Sequence, residues 1–320
     1  MKKIINSIAF LTVTSLVYLS CHKANSSLIA GQNLYDNFVK ATVAAQQTFT
    51  VDATTGGTIT CLRGSKITFP PNAFANPDNT ITTGSVQVIV KEALDKSQWL
   101  MEGLSTTTQT GMLYSGGMLD ILVKRMNDGV DVKPSPAMLV ISQSLVNVIK
   151  VEVPKVRALP DSVGLFLPGA VGVTSAVAPT SWIAAYYPFG GGINSYIFQI
   201  PQFRWINCDG LSNQPGTKTS IKVTPDLTNI TGATGMQAIL VYRNISTVIT
   251  LQPAGTFMQS YPNTIPVGST ADIICIGKDA TGKIIFKVLP SITITALINI
   301  SIKPEITDAA TVTAYLNSIN

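Results

Sequence analysis

Several stretches of the chain alternate apolar and polar side chains with a period of two, and this pattern limits the possible folds more than any other feature. It covers residues 86–91 and 119–124, and its longest instance spans residues 291–303, where only Leu297 breaks the pattern. Side chains of a β-strand point alternately to the two faces of a sheet, so each stretch predicts a half-buried strand. Further strands are expected at residues 221–223, 238–242, 248–251, 271–276 and 284–288.

Turn residues separate these strands at short intervals. Asn127-Asp128-Gly129 follows the strand at 119–124 and supplies the residues that tolerate positive φ in a tight turn. We therefore interpret Asp128 as a turn residue and not as a metal ligand. Short strands with this spacing favour an all-β fold, with two antiparallel β-sandwich domains in tandem, over alternating strands and helices. The strand at 291–303 is long enough to cross a sandwich, and we expect it to bend midway.

One short helix is predicted at the C-terminus, over residues 307–319. Thr307 can cap it, and an apolar stripe with helical spacing follows, formed by Val312, Tyr315, Leu316 and Ile319.

The N-terminus has the features of an export signal. Lys2 and Lys3 precede an apolar run over residues 4–19, and Ser20-Cys21 ends it. This order resembles a bacterial lipoprotein signal, in the looser form found in Bacteroidota, since Tyr18 and Leu19 depart from the strict motif. The resemblance implies that residues 1–20 are removed and that acyl chains on Cys21 anchor the protein to a membrane. The alternative is a plain secretory peptide with an unrelated cysteine.

The residues after Cys21 form a tether and lead-in, which we assign to residues 21–47. Surface export signals in such bacteria tend to be acidic at this point, whereas His22-Lys23-Ala24-Asn25 is not. The resemblance therefore favours the periplasmic face of the outer membrane over the cell surface.

Composition excludes several classes of function. His22 is the only histidine, so a Ser-His-Asp or Cys-His nucleophile and a His-ligated zinc have no support in the folded body. Loss of Lys2 and Lys3 lowers the formal charge from +5 to +3, which is too weak for nucleic-acid binding. Charged residues make up only 12% of the chain, which favours a packed fold over disorder. No cofactor is expected.

Three further cysteines, Cys61, Cys208 and Cys275, follow Cys21 in a compartment that permits disulfides. At most one intrachain pair can form among the three, and whether it forms stays open. No CxxC spacing is present, and we interpret these cysteines mainly as small buried apolar residues.

Residues 162–203 contain no charged side chain. A membrane span is excluded there because Pro168, Pro179, Pro188 and the run Gly190-Gly191-Gly192 would leave backbone groups unpaired in lipid. We expect residues 159–194 to form an uncharged connector. Its aromatic cluster either offers a ligand surface or fills the interdomain core; the cluster consists of Trp182, Tyr186, Tyr187 and Phe189.

Residues 56–74 have a distinctive order. A glycine-led strand from Gly56-Gly57 is followed by an apolar strand that ends at Pro70-Pro71, and this order is similar to the opening of the ZU-type β-sandwich of ankyrins and netrin receptors. Residues 84–88 and 132–141 match later steps of that pattern. The likeness covers about residues 48–145 and implies a binding or scaffolding module. We accordingly place the first sandwich at residues 48–158 and the second, with the helix, at residues 195–320.

Candidate polar sites each have a structural alternative. Glu92, Asp95 and Glu102 offer a carboxylate pair for glycoside cleavage, or are solvated loop charges. The loop Asn76-Pro77-Asp78-Asn79 lacks a calcium-binding pattern and is interpreted as a turn. Cys208 and Asp209 lie near Trp205, but Cys208 has no histidine to activate it. Asp161-Ser162-Val163 resembles a short O-glycosylation acceptor of Bacteroidota.

Taken together, these features lead us to expect a membrane-anchored, non-enzymatic lipoprotein that binds a protein or glycan of the cell envelope. No catalytic or metal-binding residue is assigned. A hydrolase of polysaccharide or peptidoglycan with paired carboxylates is one alternative, and a structural envelope subunit joined through edge strands is another.

Overall fold

The protein is an all-β molecule with about 51% strand and 10% helix. A computed structural model describes residues 38–140, 145–156, 159, 163–168, 181–185, 189–191, 194–212, 214–296 and 298–320. The predicted signal peptide at residues 1–20, Cys21 and Ser162 lie outside these residues.

The first group of strands forms two facing sheets. Its strands are β1 (Gln46–Asp52), β2 (Gly57–Thr60), β3 (Lys66–Phe69), β4 (Phe74–Ala75), β5 (Ser85–Ala93), β6 (Leu113–Arg125), β7 (Lys133–Pro134), β8 (Lys150–Pro154), β9 (Val163–Pro168), β10 (Trp182–Ala185), β11 (Phe189–Gly191), β12 (Ser195–Gln199) and β13 (Arg204–Leu211). One sheet has the order β1-β5-β6-β13-β9-β10 and the other β11-β12-β8-β3-β2, while β4 and β7 pair separately. Apolar residues from both sheets pack between them as a single core.

The second group of strands also forms a sandwich. Its strands are β14 (Lys218–Thr219), β15 (Ile221–Pro225), β16 (Thr234–Tyr242), β17 (Thr247–Thr250), β18 (Gln252–Ala254), β19 (Phe257–Gln259), β20 (Ile265–Pro266), β21 (Thr270–Lys278), β22 (Ile284–Thr293), β23 (Ile298–Ile302) and β24 (Glu305–Thr307). A sheet of order β18-β19-β15-β23 faces one of order β17-β16-β21-β22-β24, and β14 pairs with β20.

The boundary between the two sandwiches lies further toward the C-terminus than the sequence predicted. Residues 195–211, predicted to belong to the second sandwich, form β12 and β13, and these strands pair with β8 and β6 of the first sandwich. The segment expected to be a connector supplies β9, β10 and β11. These strands were not predicted because a segment without charged residues can be buried within a sheet as well as between domains. In addition, strands that pair with each other can lie far apart in the sequence.

The two sandwiches share an apolar cluster, which we call the interdomain cluster. Ile239 and Val241 of β16 belong to it, whereas Ala238 and Leu240 point into the second sandwich core. The five-stranded sheet of the second sandwich is therefore covered on both faces. This explains why the sequence of β21 is apolar at nearly every position instead of alternating.

Two helices pack at the interdomain cluster. The first, α1 (Lys96–Glu102), is capped by Asp95, whose side chain accepts a hydrogen bond from the Gln98 amide. No sequence pattern predicted this helix. The second, α2 (Ala309–Ser318), is the expected C-terminal helix. Its cap is Asp308 instead of Thr307, and Val312, Leu316 and Ile319 are buried as the stripe predicted. Neither these helices nor any other helix in the described residues could span a membrane.

The long alternating stretch at 291–303 is two strands and not one. β22 ends at Thr293, and β23 begins at Ile298 in the opposite sheet, where it pairs in parallel with β15. Ile294 is fully buried in the core between the sheets. The chain thus crosses the sandwich at the point where a bend was expected.

The two predicted turns are confirmed. Gly129 has φ +72° after β6, and Asp128 accepts hydrogen bonds from Arg125 and from the Val130 amide. In the loop that begins at Asn76, the side chain of Asp78 accepts the amide of Thr80.

Candidate functional site

The first sandwich carries a groove of about 460 Å³ beside the start of β13, which we call the Arg204 groove. A volume of this size suits a small ligand or the end of a chain. The described lining consists of Pro77, Leu122, Asp131, Val132, Lys133, Pro134, Leu139, Pro201, Gln202, Phe203 and Arg204. Most of these side chains are apolar, so a charged group among them is the feature that would orient a ligand.

Arg204 enters the groove through an unusual backbone conformation. Its φ is +85°, in the left-handed region that residues other than glycine rarely adopt. Arg204 pairs with Ile121 across the ladder, and regular alternation would direct it to the core face that Ile121 occupies. Instead its Nη2 donates to Oδ2 of Asp120, 3.0 Å away. Strain of this kind costs about 1–3 kcal/mol and is concentrated at functional sites.

The ion pair between Arg204 and Asp120 is only partly satisfied. Their side chains are 14% and 12% exposed, so the pair is largely withdrawn from water. Within the described part of the chain, the buried Oδ1 of Asp120 and the buried Nε of Arg204 have no hydrogen-bond partner. Such groups are uncommon in folded proteins and call for a structural or functional explanation.

The environment of Asp120 also changes its protonation. Burial raises the pKa of Asp120 to about 6, although the Arg204 and Lys91 cations act in the opposite direction. The Glu102 carboxylate adds to the increase. Glu102 is itself paired with Lys91, with 3.1 Å between Nζ and Oε1. The pKa of Asp120 therefore lies within about one unit of neutral pH.

The walls of the groove are held by polar contacts behind them. The buried side chain of Gln199 donates to the carbonyl oxygens of Met138 and Val140, on either side of Leu139. These contacts hold the 3₁₀ turn Pro136–Leu139, which carries Leu139 into the lining. On the opposite wall, Lys133 Nζ donates to the Pro77 carbonyl oxygen at 3.0 Å. These hydrogen bonds hold both walls of the groove in place.

A second groove of about 430 Å³ lies on the second sandwich, beside β18 and β19. Its described lining includes Leu227, Met236, Phe257 and Met258 but no charged side chain. It offers volume without a group that would select or orient a ligand, so the Arg204 groove is the stronger candidate.

Of the four aromatic residues suggested as a ligand surface, the structure describes the side chain of Trp182 alone. Trp182 is only 1% exposed, belongs to the interdomain cluster, and donates its indole N–H to the Ser105 carbonyl oxygen. Phe189 pairs with Phe198 through the backbone of β11, but its side chain is outside the description, as are Tyr186 and Tyr187. The alternative that the aromatic residues fill the interdomain core holds for Trp182.

The three carboxylates considered for glycoside cleavage have structural partners. Glu92 is 2% exposed and accepts the backbone amides of Arg63 and Ser65, so it holds the β2–β3 hairpin. Asp95 caps α1 and pairs with Arg63 at 2.8 Å. As noted above, Glu102 pairs with Lys91. Each of the three carboxylates therefore has a structural partner among the described residues.

The polar cluster near Trp205 is buried and structural. Asp209 is fully buried, and its Oδ2 accepts from Asn207 Nδ2, while the Asn207 carbonyl accepts from Ser115. Burial raises the pKa of Asp209 well above its ordinary value, and it also raises the pKa of Cys208. Cys208 is thus a protonated buried thiol, a poor nucleophile. Cys61, Cys208 and Cys275 are all buried and free.

Arg204 and Asp120 were missed by the sequence reasoning. Asp120 reads as a polar position of an alternating strand, and Arg204 as an ordinary charge at the start of another. The prolines at 134 and 201 mark the loops of the groove, but no spacing links them to Asp120. Within the described residues, no group of three or more His, Cys, Asp or Glu side chains could hold a metal ion.

Comparison with known proteins adds no relative. No model of a known protein family matches the chain, and no curated protein matches it.

Proposed function

We propose that this protein is a lipid-anchored, non-enzymatic binding protein of the bacterial cell envelope, and that the Arg204 groove is its ligand site. The observation that carries the proposal is the strained and partly satisfied Arg204–Asp120 pair in the lining of an apolar groove. The left-handed φ of Arg204 and the two buried atoms of the pair that lack hydrogen-bond partners both cost folding free energy. Retention of such a pair is explained if a ligand uses it.

The anchor rests on the sequence. Lys2, Lys3, the apolar run and Ser20-Cys21 support removal of residues 1–20 and acylation of Cys21. The likeness of residues 48–145 to ZU-type sandwiches, which bind protein partners in animal proteins, supports a binding role. We place the protein on the periplasmic face of the outer membrane, with an envelope protein or glycan as its partner.

Acylation is tested by growing cells with an alkyne-tagged fatty acid. The wild-type protein should take up the label and fractionate with membranes, whereas Cys21→Ala should do neither. A wild-type protein that remains unlabelled and soluble in the periplasm would instead identify a plain secretory peptide.

The role of the groove is tested by crosslinking the tagged protein in cells and identifying captured molecules by mass spectrometry. Arg204→Gln should lose the partner that wild type captures. Arg63→Gln is the matched control, because Arg63 is also an arginine paired with an aspartate but lies outside the groove lining. Equal loss in both variants, or loss in neither, would contradict a binding role for the groove.

A hydrolase is the second candidate function, and one observation favours it. Asp120 has a pKa raised to about 6 and senses the charge of Glu102, as a general acid beside a second carboxylate does. Incubation with peptidoglycan or envelope polysaccharide would then release reducing ends, and Asp120→Asn would abolish the release. The binding proposal expects no release from either protein.

A further inference from the structure

The charges in the Arg204 groove favour an anionic group on the ligand. Arg204 and Lys133 both line it, while the carboxylate of Asp131 is paired with Lys124 at 2.8 Å. In the Arg204 side chain, Nη2 donates to Asp120, whereas the buried Nε has no acceptor among the described residues. The guanidinium keeps further donors in a planar fork, the geometry that matches a carboxylate.

The rest of the lining favours an aliphatic group over a sugar. Leu122, Leu139, Pro134 and Pro201 supply apolar surface, and Leu139 is 46% exposed at the rim. Sugars are usually held on the exposed face of an aromatic ring. The one aromatic residue in the described lining, Phe203, is only 5% exposed. Its ring packs against the rings of Phe69 and Phe74, at centroid distances of 6.4 and 6.0 Å.

The backbone of the groove does not suit an extended internal segment. A peptide that binds along its length usually adds a strand to a sheet edge and uses main-chain hydrogen bonds. Three of the lining residues, Pro77, Pro134 and Pro201, have no backbone N–H to donate. A ligand here must instead be held by its side chain and by a terminal charge.

We propose that the Arg204 groove recognises the free C-terminus of an apolar polypeptide, with the terminal carboxylate on the Arg204 guanidinium and the last side chain between Leu122 and Leu139. This inference rests on the proposed function, because it assigns the chemical class of the ligand to the same groove. An envelope protein with an exposed, aliphatic C-terminus is the partner that fits.

The test compares two fluorescein-labelled peptides that end in Ala-Leu-Leu, one with a free carboxylate and one with a C-terminal amide, by fluorescence anisotropy. The free acid should bind the wild-type protein about 10- to 100-fold more tightly than the amide, as expected for one charge-assisted pair. Arg204→Gln should remove this difference, and Arg63→Gln should keep it.

A second variant guards against misfolding of Arg204→Gln. Leu139→Glu places a negative charge at the exposed rim without touching the Arg204–Asp120 pair, so it should fold and weaken binding of the free acid by repulsion. Circular dichroism confirms the fold of each variant. Equal affinity for acid and amide, discrimination that survives in Arg204→Gln, or no binding of the acid up to about 1 mM would each overturn the inference.

The two proposals fail in different ways. If Arg204→Gln loses the partner captured in cells but both peptides bind wild type equally, the groove binds by another feature and only the C-terminus inference is wrong. If neither the cellular partner nor the peptides depend on Arg204, both proposals are wrong.

Discussion

Replacing Asp209 by Asn should make the protein more stable, by an amount that grows with pH. Asp209 is fully buried on β13, and burial raises its pKa well above its ordinary value. Its Oδ2 accepts one hydrogen bond from Asn207, while its buried Oδ1 has no partner within the described residues. The folded protein therefore holds this carboxyl group neutral, and an amide of the same shape can replace it.

The magnitude follows from proton linkage. Above about pH 3.9 the unfolded chain releases the Asp209 proton, but the folded chain retains it up to its raised pKa. The contribution of Asp209 to stability is fully present below about pH 3.9 and is lost as pH rises, at about 1.4 kcal/mol per pH unit, until the folded pKa is reached. Asn has no such loss. The difference in the free energy of unfolding between Asp209→Asn and wild type should thus increase by roughly 1.4 kcal/mol for each pH unit in that window.

Urea unfolding followed by far-ultraviolet circular dichroism, at several pH values from about 4.5 to 6.5, measures this difference. Asp226→Asn is the control. A hydrogen bond from the Thr228 amide lowers the pKa of the solvent-exposed Asp226 carboxyl. Its titration therefore lies below this pH window in both the folded and the unfolded protein, so the difference between Asp226→Asn and wild type should stay nearly constant across the window. A difference between Asp209→Asn and wild type that stays constant with pH would refute the reasoning, because it would mean that Asp209 is ionised in the folded protein.

Three further substitutions test how the fold is held. Glu92→Gln should destabilise by roughly 2 kcal/mol in urea unfolding and speed hydrogen exchange at the Arg63 amide, because an amide group cannot accept all the donors that the carboxylate accepts. Gly56→Ala should cost about 3 kcal/mol or more in the same assay, since the new Cβ would lie 2.2 Å from a carbonyl oxygen, whereas Gly84→Ala, with a similar φ but open space, should cost only about 1–2 kcal/mol. Lys96→Met should lower the free energy of unfolding by about 2 kcal/mol, because it leaves two carbonyl oxygens of the second sandwich without the Nζ donor.

Local features of the fold could be predicted because their causes are local. The alternation in β5 and β6 follows from burial on one face, and the turn at Gly129 follows from its freedom at positive φ. The stripe from Val312 to Ile319 likewise identified α2. The helix α1 was missed because it has only seven residues and lacks a clear stripe.

Features that depend on distant partners could not be predicted. Nothing in the sequence of β13 shows that it pairs with β6, about 80 residues earlier in the chain, so the domain boundary was placed too early. The Arg204 groove has the same origin. Arg204 meets Asp120 only through this pairing and through a left-handed φ that no neighbouring residue signals.

All three tryptophans of the chain, Trp99, Trp182 and Trp205, lie in the interdomain cluster, and neither sandwich core contains one. Indole emission shifts to longer wavelength when the ring meets water. The intrinsic tryptophan fluorescence of this protein therefore reports whether the two sandwiches remain in contact. A red shift that precedes the loss of strand signal would reveal the two halves separating while each remains folded.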